Sequence, residues 1–568
     1  MRRRKGGGFF KYLFLVPLVA VVFLTYNYWA VIEETLRVNT AGSHVKDRSE
    51  LSEQVQFESA FLLSNKTAAA ATAEPADVAS ARQPAAPVAA AGAQAGAAVA
   101  QSGGAGAVAQ APAAGAAAPA AEARGSSTCC RTISVVLPCA EEREYAVRTV
   151  ESIIANTPDD VLDQVVVVDD GSQKPLSNLL GGRRKVKVMR HDQTMGIMRS
   201  RKTGADAVTS DVIALFDCHV APQPGWHVEI LRLISQNSKR MVVPMITDLD
   251  IDTWTQKPNS AGNVKCWLTW DVDFKWFNDP SPEVPIMSGG LLALSRDWWA
   301  QTGGYDKEMR GWGGENLDQS LRSWLCGGEI YSALSSQVAH MWRTGDSRTA
   351  ARYRSSGGKT SNFARVVDAW FGPFAELAPQ HLRGRGGDIS EYRAIQERLQ
   401  CKPFVHFLHR FRSIYIDGGI IAKEWFRIRD EKTGKCIING GSGPRMGACT
   451  VDRGSWWRRA NRQVATGQCC SGISVAEVDN CWDYTDTSRG VHFYGCDITG
   501  QNGNQQYRLQ DGLLHKDLTH RCLVVRNEYL MEDDCKVARE QHIFSTVDAK
   551  EPRPHQIYTK ALQDEHLA

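Results

Sequence analysis

The chain has 568 residues, too many for one compact core, so two or three domains joined by linkers are expected. Its formal net charge is +3, and Arg2, Arg3, Arg4 and Lys5 alone supply four positive charges, which leaves about one net negative charge for everything that follows. Nucleic-acid partners therefore have no electrostatic footing.

Those four cations precede an uncharged stretch at 12–32 that contains Leu13-Phe14-Leu15-Val16 and ends in Tyr26, Tyr28 and Trp29. It is long enough for a bilayer, whose apolar core takes about 20 helical residues. With Glu33-Glu34 beyond it, the basic side stays in the cytoplasm and the bulk of the chain lies in a lumen. The expectation is a cytoplasmic tail at 1–8 and a transmembrane signal anchor at 9–32, with membrane attachment through that single helix. A cleaved signal peptide is the alternative, opposed by the length of the span and the lack of a small-x-small site directly after it. All 15 cysteines lie at or after Cys129, so an oxidising lumen makes most of them disulfide candidates, and the odd number leaves one over. Asn65-Lys66-Thr67 is a glycosylation acceptor, and the Ala, Gly, Pro and Gln of 68–123 cannot build a core. The segment 33–127 is expected to be a flexible luminal stem.

After Cys130, short apolar runs alternate with helical stretches. Ser134-Val135-Val136-Leu137, 164–168, 185–189 and 212–216 read as parallel strands, because continuous Val and Ile runs imply burial on both faces. Between them, 142–156 and 196–208 read as crossover helices. An α/β fold of the nucleotide-diphospho-sugar transferase type, Rossmann-like, is expected. The run at 212–216 stops at Asp217-Cys218-His219, which puts a carboxylate and an imidazole two residues apart at a strand end. That spacing suits a divalent cation at the place where open α/β sheets bind nucleotides. Asp169-Asp170 closes an earlier strand, and such a pair either hydrogen-bonds a nucleoside or caps a turn. Glycosyl transfer from a sugar nucleotide is the reading these positions favour.

The most specific signal is Tyr305-Asp306-Lys307-Glu308-Met309-Arg310-Gly311-Trp312-Gly313-Gly314-Glu315-Asn316, with Met287-Ser288-Gly289-Gly290-Leu291-Leu292-Ala293 upstream. Together with Phe274-Lys275-Trp276, Ala339-His340-Met341-Trp342-Arg343, Asn362, Arg365, Trp370 and Cys401-Lys402-Pro403-Phe404, it makes the chain resemble the polypeptide N-acetylgalactosaminyltransferases from about 134 to 403, and more weakly beyond. The resemblance implies a GT-A catalytic domain at 128–415 in a single-pass type II Golgi membrane protein, its catalytic part luminal. It implies retaining transfer of N-acetylgalactosamine from UDP to Ser or Thr hydroxyls of a polypeptide or glycopeptide. Mn²⁺ is implied at Asp217, His219 and His340, a set of one carboxylate and two imidazoles that leaves room for diphosphate oxygens. Read alone, His340 is equally a core histidine. The resemblance puts Glu315, Asn316 and Trp312 at the reacting sugar and acceptor. It puts Asp169, Asp170, Arg199, Arg201, Gly289, Gly290 and Arg343 around the UDP-sugar, the glycines for close approach and Arg343 for the diphosphate. The competing readings are a transferase for another UDP-sugar or acceptor, and an inactive glycoprotein-binding pseudo-transferase.

The chain departs from that family in three places. Where the family reads Phe-His-Asn-Glu, this chain has Pro138-Cys139-Ala140-Glu141, so Cys139 replaces a uridine-contacting histidine. The Arg-Glu-Gly stretch becomes Thr194-Met195-Gly196, and the Pro-Tyr-Thr-Phe-Pro loop becomes Arg348-Thr349-Ala350-Ala351-Arg352-Tyr353. Cys218 is expected to be a small buried residue whose side chain points away from its neighbours' face. The family pattern pairs Cys326 with Cys401 and gives Cys129, Cys130, Cys469 and Cys470 no partner.

Beyond about 423 the helical pattern stops, and three cysteine-bounded segments begin near Phe426, Gly467 and Tyr507. This part resembles the ricin-type β-trefoil lectin and is expected at 423–550, followed by a tail at 551–568. Cys481-Trp482-Asp483 sits where that fold places a sugar-binding Cys-Leu-Asp, so Asp483, Tyr494 and Asn504 are expected to hold carbohydrate; a purely structural domain is the alternative. Pairs Cys436 with Cys449, Cys481 with Cys496 and Cys522 with Cys535 follow from spacing and the resemblance.

Overall fold

The structure is a computed structural model that describes residues 130–567 apart from 259, 261, 263–264, 278, 344–357, 450–455, 464–468, 476–479, 486–487 and 499–501. The expected anchor, stem, Asn65 acceptor and the 348–353 loop all lie outside the described residues. Among those described, no helix is long and apolar enough to cross a membrane.

The catalytic part is built on strands β1 (Ile133–Cys139), β2 (Leu162–Asp170), β3 (Val186–His191), β4 (Val212–Leu215), β5 (Val220–Pro222), β6 (Arg240–Asp250), β7 (Thr255–Gln256), β8 (Lys265–Leu268), β9 (Phe274–Phe277), β10 (Leu292–Ser295) and β11 (Glu329–His340). The main sheet runs β3-β2-β1-β4-β10-β6-β11-β5. Its first four members pair in parallel, while β10 lies antiparallel between β4 and β6. The valine runs are buried on both faces because alternate residues feed two different cores. Val136, Val166, Val168, Ile213 and Leu215 join one cluster; Val135, Val165, Val167, Val212 and Ala214 join the other. The helices Glu144–Ala155 and Ile197–Asp206 are the crossovers expected at 142–156 and 196–208.

The C-terminal part is all β apart from short helical pieces. It contains β12 (Trp425–Asp430), β13 (Cys436–Asn439), β14 (Pro444–Gly447), β15 (Trp457–Gln463), β16 (Cys469–Val475), β17 (Asn480–Asp483), β18 (His492–Gly495), β19 (Tyr507–Gln510), β20 (Leu513–Lys516), β21 (Arg521–Arg526), β22 (Tyr529–Asp533) and β23 (Phe544–Lys550). These surround one core that includes Ile437, Trp457, Trp482, Tyr507 and Leu523. Four disulfides join the pairs suggested by the spacing and the resemblance: Cys326–Cys401, Cys436–Cys449, Cys481–Cys496 and Cys522–Cys535. The third unit differs from its expected start. Tyr507 belongs to a strand that pairs with β20, so the first strands of the units, at Trp425, Cys469 and Leu513, are equally spaced.

The segment 551–568, expected as a tail, contains a helix, Arg553–Asp564. Its buried Ile557, Tyr558 and Ala561 join the catalytic core cluster that holds Phe404, Phe407, Phe411 and Tyr415. Arg553 pairs with Glu376 at 2.9 Å, and the Tyr558 hydroxyl lies 3.4 Å from His409 Nδ1. Amphipathic spacing is present in 553–564, but a short segment after a β domain gives no sequence cue to what it packs on. Tyr558→Ala is expected to lower catalytic-domain stability by about 3 kcal/mol, the usual cost of truncating a buried aromatic. Thermal unfolding followed through the catalytic-domain tryptophans checks this; an unchanged transition would mean the helix is not part of that core.

Candidate active site

Strand pairing assembles the site. His340 is the last residue of β11 and sits in register with Val220 of antiparallel β5, so the residue before Val220, His219, comes beside it. The Met341 amide donates to the His219 carbonyl at 3.1 Å, and the two imidazoles lie 5.0 Å apart between centroids. Asp217 follows β4, and its Oδ2 lies 3.1 Å from His340 Nε2. Ligand atoms of Asp217, His219 and His340 all fall within 4.8 Å of one another. Three residues separated by up to 123 positions thus converge with donors suited to a borderline divalent cation. His340 Nδ1 is buried without a partner, and Trp342 packs edge-on at 4.6 Å and donates its indole N–H to Asp248 at 2.8 Å.

Behind Asp217 stands Arg201, which is fully buried. Its guanidinium donates to Asp217 Oδ1 at 2.8 Å, to the Gly289 carbonyl at 2.5 Å, to the Gly290 carbonyl at 2.9 Å and to the Tyr305 hydroxyl at 3.3 Å. Burial alone would raise the Asp217 carboxyl, but the bond to His340 and the Arg201 charge outweigh it and hold Asp217 well below the usual carboxylate range. Arg201 was expected at the nucleotide; its two terminal nitrogens instead bond inside the protein, positioning Asp217 and the glycines, while its Nε is buried without a partner. Gly290 lies tight against the site, since a Cβ there would stand 3.1 Å from Asp217 Oδ2.

Glu315 and Asn316 open the helix Glu315–Leu325 after a turn that needs left-handed backbone at Gly311, Gly313 and Gly314. Both side chains are buried, and Asn316 Nδ2 donates to the Met287 carbonyl at 3.1 Å. Glu315 Oε2 has no partner, and burial pushes its carboxyl up against the lowering pull of Arg201. Trp312 is 37% exposed. Residues quoted above as family matches hold this turn from behind. Asn362 Oδ1 accepts from the Arg310 amide at 3.1 Å, and its Nδ2 donates to the Arg310 and Gly313 carbonyls, both at 2.8 Å. Arg365 grips Asp306 at 2.6 and 3.1 Å, and Trp370 donates to Asp318 at 2.9 Å.

Several expected donor contacts face elsewhere. Asp169 accepts from the amides of Ser172 and Leu176 and from Arg190, and Asp170 accepts from His191 and from the amides of Met195 and Gly196. Both carboxylates fix loops, including the altered 194–196 segment. Arg199 donates to the Lys307 carbonyl at 2.9 Å. Arg343 pairs with Glu142 and lies 3.1 Å from His219 Nδ1. In the β-rich part, Asp483 is only 1% exposed and its Oδ2 accepts from Asn502 and Gln505, so it presents no carboxylate to solvent. Tyr494 is 46% exposed, and the Asn504 amide donates to Asn502.

Cys139 and Cys218 form a disulfide that sequence reading missed, one residue away from both Asp217 and His219. Its signal was the strand register: β1 pairs with β4 as Ile133 with Val212, and continuing that offset sets Cys139 opposite Cys218. Cys218 is fully buried. With its ends 79 positions apart in sequence, the bridge is expected to stabilise by about 4 kcal/mol through the unfolded state. The double variant Cys139→Ser with Cys218→Ser should therefore melt well below wild type yet retain turnover per folded molecule; loss of turnover in folded protein would contradict this. Cys130 is also disulfide-bonded, and among the described residues Cys266 is free and buried.

Residues 134–301 match the glycosyl transferase family 2, and 277–344 match the N-terminal domain of galactosyltransferase. Human polypeptide N-acetylgalactosaminyltransferase 10 is 28% identical over 417 residues, covering 67% of this chain and 68% of the relative. The inactive polypeptide N-acetylgalactosaminyltransferase-like protein 5 of Macaca fascicularis is 32% identical over 302 residues, covering 49% of this chain and 67% of that protein. The chain belongs to the polypeptide N-acetylgalactosaminyltransferase family. A crystal structure of GalNAc-T7 with UDP, GalNAc and Mn²⁺ is similar at 22% identity, covering 74% of this chain and 82% of that one, with a TM-score of 0.47. In this glycosyltransferase of the N-acetylgalactosaminyltransferase family, Gly289 and Gly290 lie between neighbours of the two pairs: a Cβ on Gly289 would meet Asn316 Cβ at 2.9 Å and one on Gly290 would meet Asp217 Oδ2 at 3.1 Å.

Proposed function

We propose that the protein is a retaining, Mn²⁺-dependent transferase that moves N-acetylgalactosamine from UDP-N-acetylgalactosamine to Ser or Thr hydroxyls of polypeptides. The observation that carries this reading is the convergence of Asp217, His219 and His340 within 4.8 Å, beside the buried Glu315 and Asn316. One carboxylate and two imidazoles fit Mn²⁺, and the unpartnered Glu315 Oε2 fits a site that completes its bonds with substrate. Bound there, the ion would supply Lewis-acid charge to the leaving diphosphate. Asp217, His219 and His340 hold it. Glu315 and Asn316 orient the sugar and the acceptor hydroxyl, Trp312 offers an aromatic wall, and Gly289 and Gly290 admit the donor at close range. The catalytic domain is assigned to 128–415. Incubating the full chain with UDP-sugars and a Ser/Thr-rich peptide, with Mn²⁺ or a chelator, tests this: metal-dependent incorporation from UDP-N-acetylgalactosamine is the expected result. Turnover of a different UDP-sugar would reassign the donor, and none at all would favour the inactive reading, which the macaque relative's name supports.

The C-terminal domain at 423–550 is read as a ricin-type β-trefoil, on the support of twelve strands in three equally spaced units, each with its own disulfide. Carbohydrate contact there falls to the exposed face of Tyr494 with Asn504, and Asp483 acts from beneath by holding Asn502 and Gln505. A signal anchor at 9–32 would keep the catalytic part in the Golgi lumen.

Glu315→Gln separates function from stability. A carboxyl whose pKa is raised on folding contributes most favourably below its unfolded pKa, and that contribution is lost as pH rises through the folded value. The amide variant is therefore expected to melt higher than wild type at pH 8 by more than at pH 5, while transfer falls by roughly 10²-fold or more. A lower melting temperature at pH 8 would refute the buried-carboxylate account.

A further inference from the structure

The Mn²⁺ reading leaves one buried acid beside the cluster without a role. Glu142 is 4% exposed and sits between Glu141 and Arg143, whose φ angles of 58° and 51° are both left-handed and rare for such side chains. That turn points the Glu142 carboxylate inward. Oε1 lies 3.2 Å from His219 Nδ1 and also accepts from Arg343; Oε2 is buried with no partner. Glu142 is not among the residues whose ligand atoms gather within 4.8 Å, so it stands behind His219 and not beside the ion.

We propose that Glu142 is the positioning residue of the metal site, fixing His219 as a ligand and neutralising Arg343 next to it; this rests on the Mn²⁺ reading above. Two groups converge on Oε1. Arg343, which has only N–H groups, also lies 3.1 Å from His219 Nδ1, so a ring unprotonated there would accept from Arg343; the role assigned to Glu142 is to hold the ring proton on Nδ1 instead. That tautomer leaves the Nε2 lone pair for a cation, the arrangement by which an outer carboxylate raises the basicity of a metal-binding imidazole. Charge points to the same role, since Arg343 lies 3.1 Å from a ligand ring and the Glu142 carboxylate bonded to it opposes its positive charge beside the place an incoming divalent ion would take. Sequence reading passed over Glu142 because Glu141-Glu142 resembles an ordinary acidic helix start.

The test is Mn²⁺ binding by the full chain without UDP, read from the free-ion paramagnetic resonance signal, for wild type, His340→Ala, Glu142→Gln, Glu142→Asp and Glu142→Ala. Glu142→Gln, which keeps the shape, is expected to weaken Mn²⁺ at least 10-fold and Glu142→Ala up to about 100-fold, with Glu142→Asp between Gln and wild type. Thermal unfolding of each variant gives its folded fraction, so that affinities are compared per folded molecule. Mn²⁺ affinity of Glu142→Gln within threefold of wild type, with His340→Ala weakened, overturns the Glu142 role alone. Equal affinity of wild type and His340→Ala overturns the metal site itself.

Discussion

Arg201→Leu should lower the unfolding free energy by about 3–5 kcal/mol, the cost of stranding one member of a buried charge pair. The guanidinium is fully buried and its two terminal nitrogens serve four acceptors: Asp217, the Gly289 and Gly290 carbonyls and Tyr305. Leucine fills much of the volume but leaves Asp217 without its cation and two buried carbonyls without donors. Turnover should fall with stability, because the same four bonds set the distance between Asp217 and the Gly289-Gly290 turn. Arg201→Lys keeps the charge but cannot fork between acceptors, so it should recover only part of the loss. Thermal melting and a transfer assay on the same preparations decide this; a leucine variant that melts with wild type would show that the guanidinium is not needed to balance Asp217.

His340→Ala is expected to reduce transfer by on the order of 10³-fold while leaving the fold intact. His340 makes one side-chain hydrogen bond, to Asp217, and its Nδ1 makes none, so truncation strands little. Chelation of wild type should produce a similar drop, and adding chelator to the variant should add nothing further. A variant that keeps most of its activity, or loses further activity on chelation, would place the metal elsewhere.

Much of the sheet was legible because buried parallel strands leave a local mark: unbroken Val and Ile runs at 164–168 and 212–216 need no knowledge of partners. Asp217 with His219 was legible for the same reason, being adjacent in sequence at a strand end. His340 became a candidate only through resemblance, since its approach to His219 depends on β11 pairing with β5 more than a hundred residues away. The Cys139–Cys218 bridge was hidden by register, which a single strand does not reveal. Asp169, Asp170 and Arg201 have the chemistry of nucleotide contacts, yet they spend hydrogen bonds inside the protein, on backbone groups and on Arg190, His191, Tyr305 and Asp217. Residue type announces a capacity to bind; burial decides what is bound.

The return of residues 557–561 into the catalytic core bears on how the protein is made. Chain synthesis runs from the catalytic strands through the whole β-rich domain before Ile557, Tyr558 and Ala561 exist, yet these three pack with Phe404 and Phe407. While the β-rich domain is being translated, the catalytic domain carries an uncovered apolar face formed by those phenylalanines. Quality control in the cell therefore meets a half-finished enzyme for the length of that domain's synthesis, and only the closing helix turns the nascent chain into a sealed one.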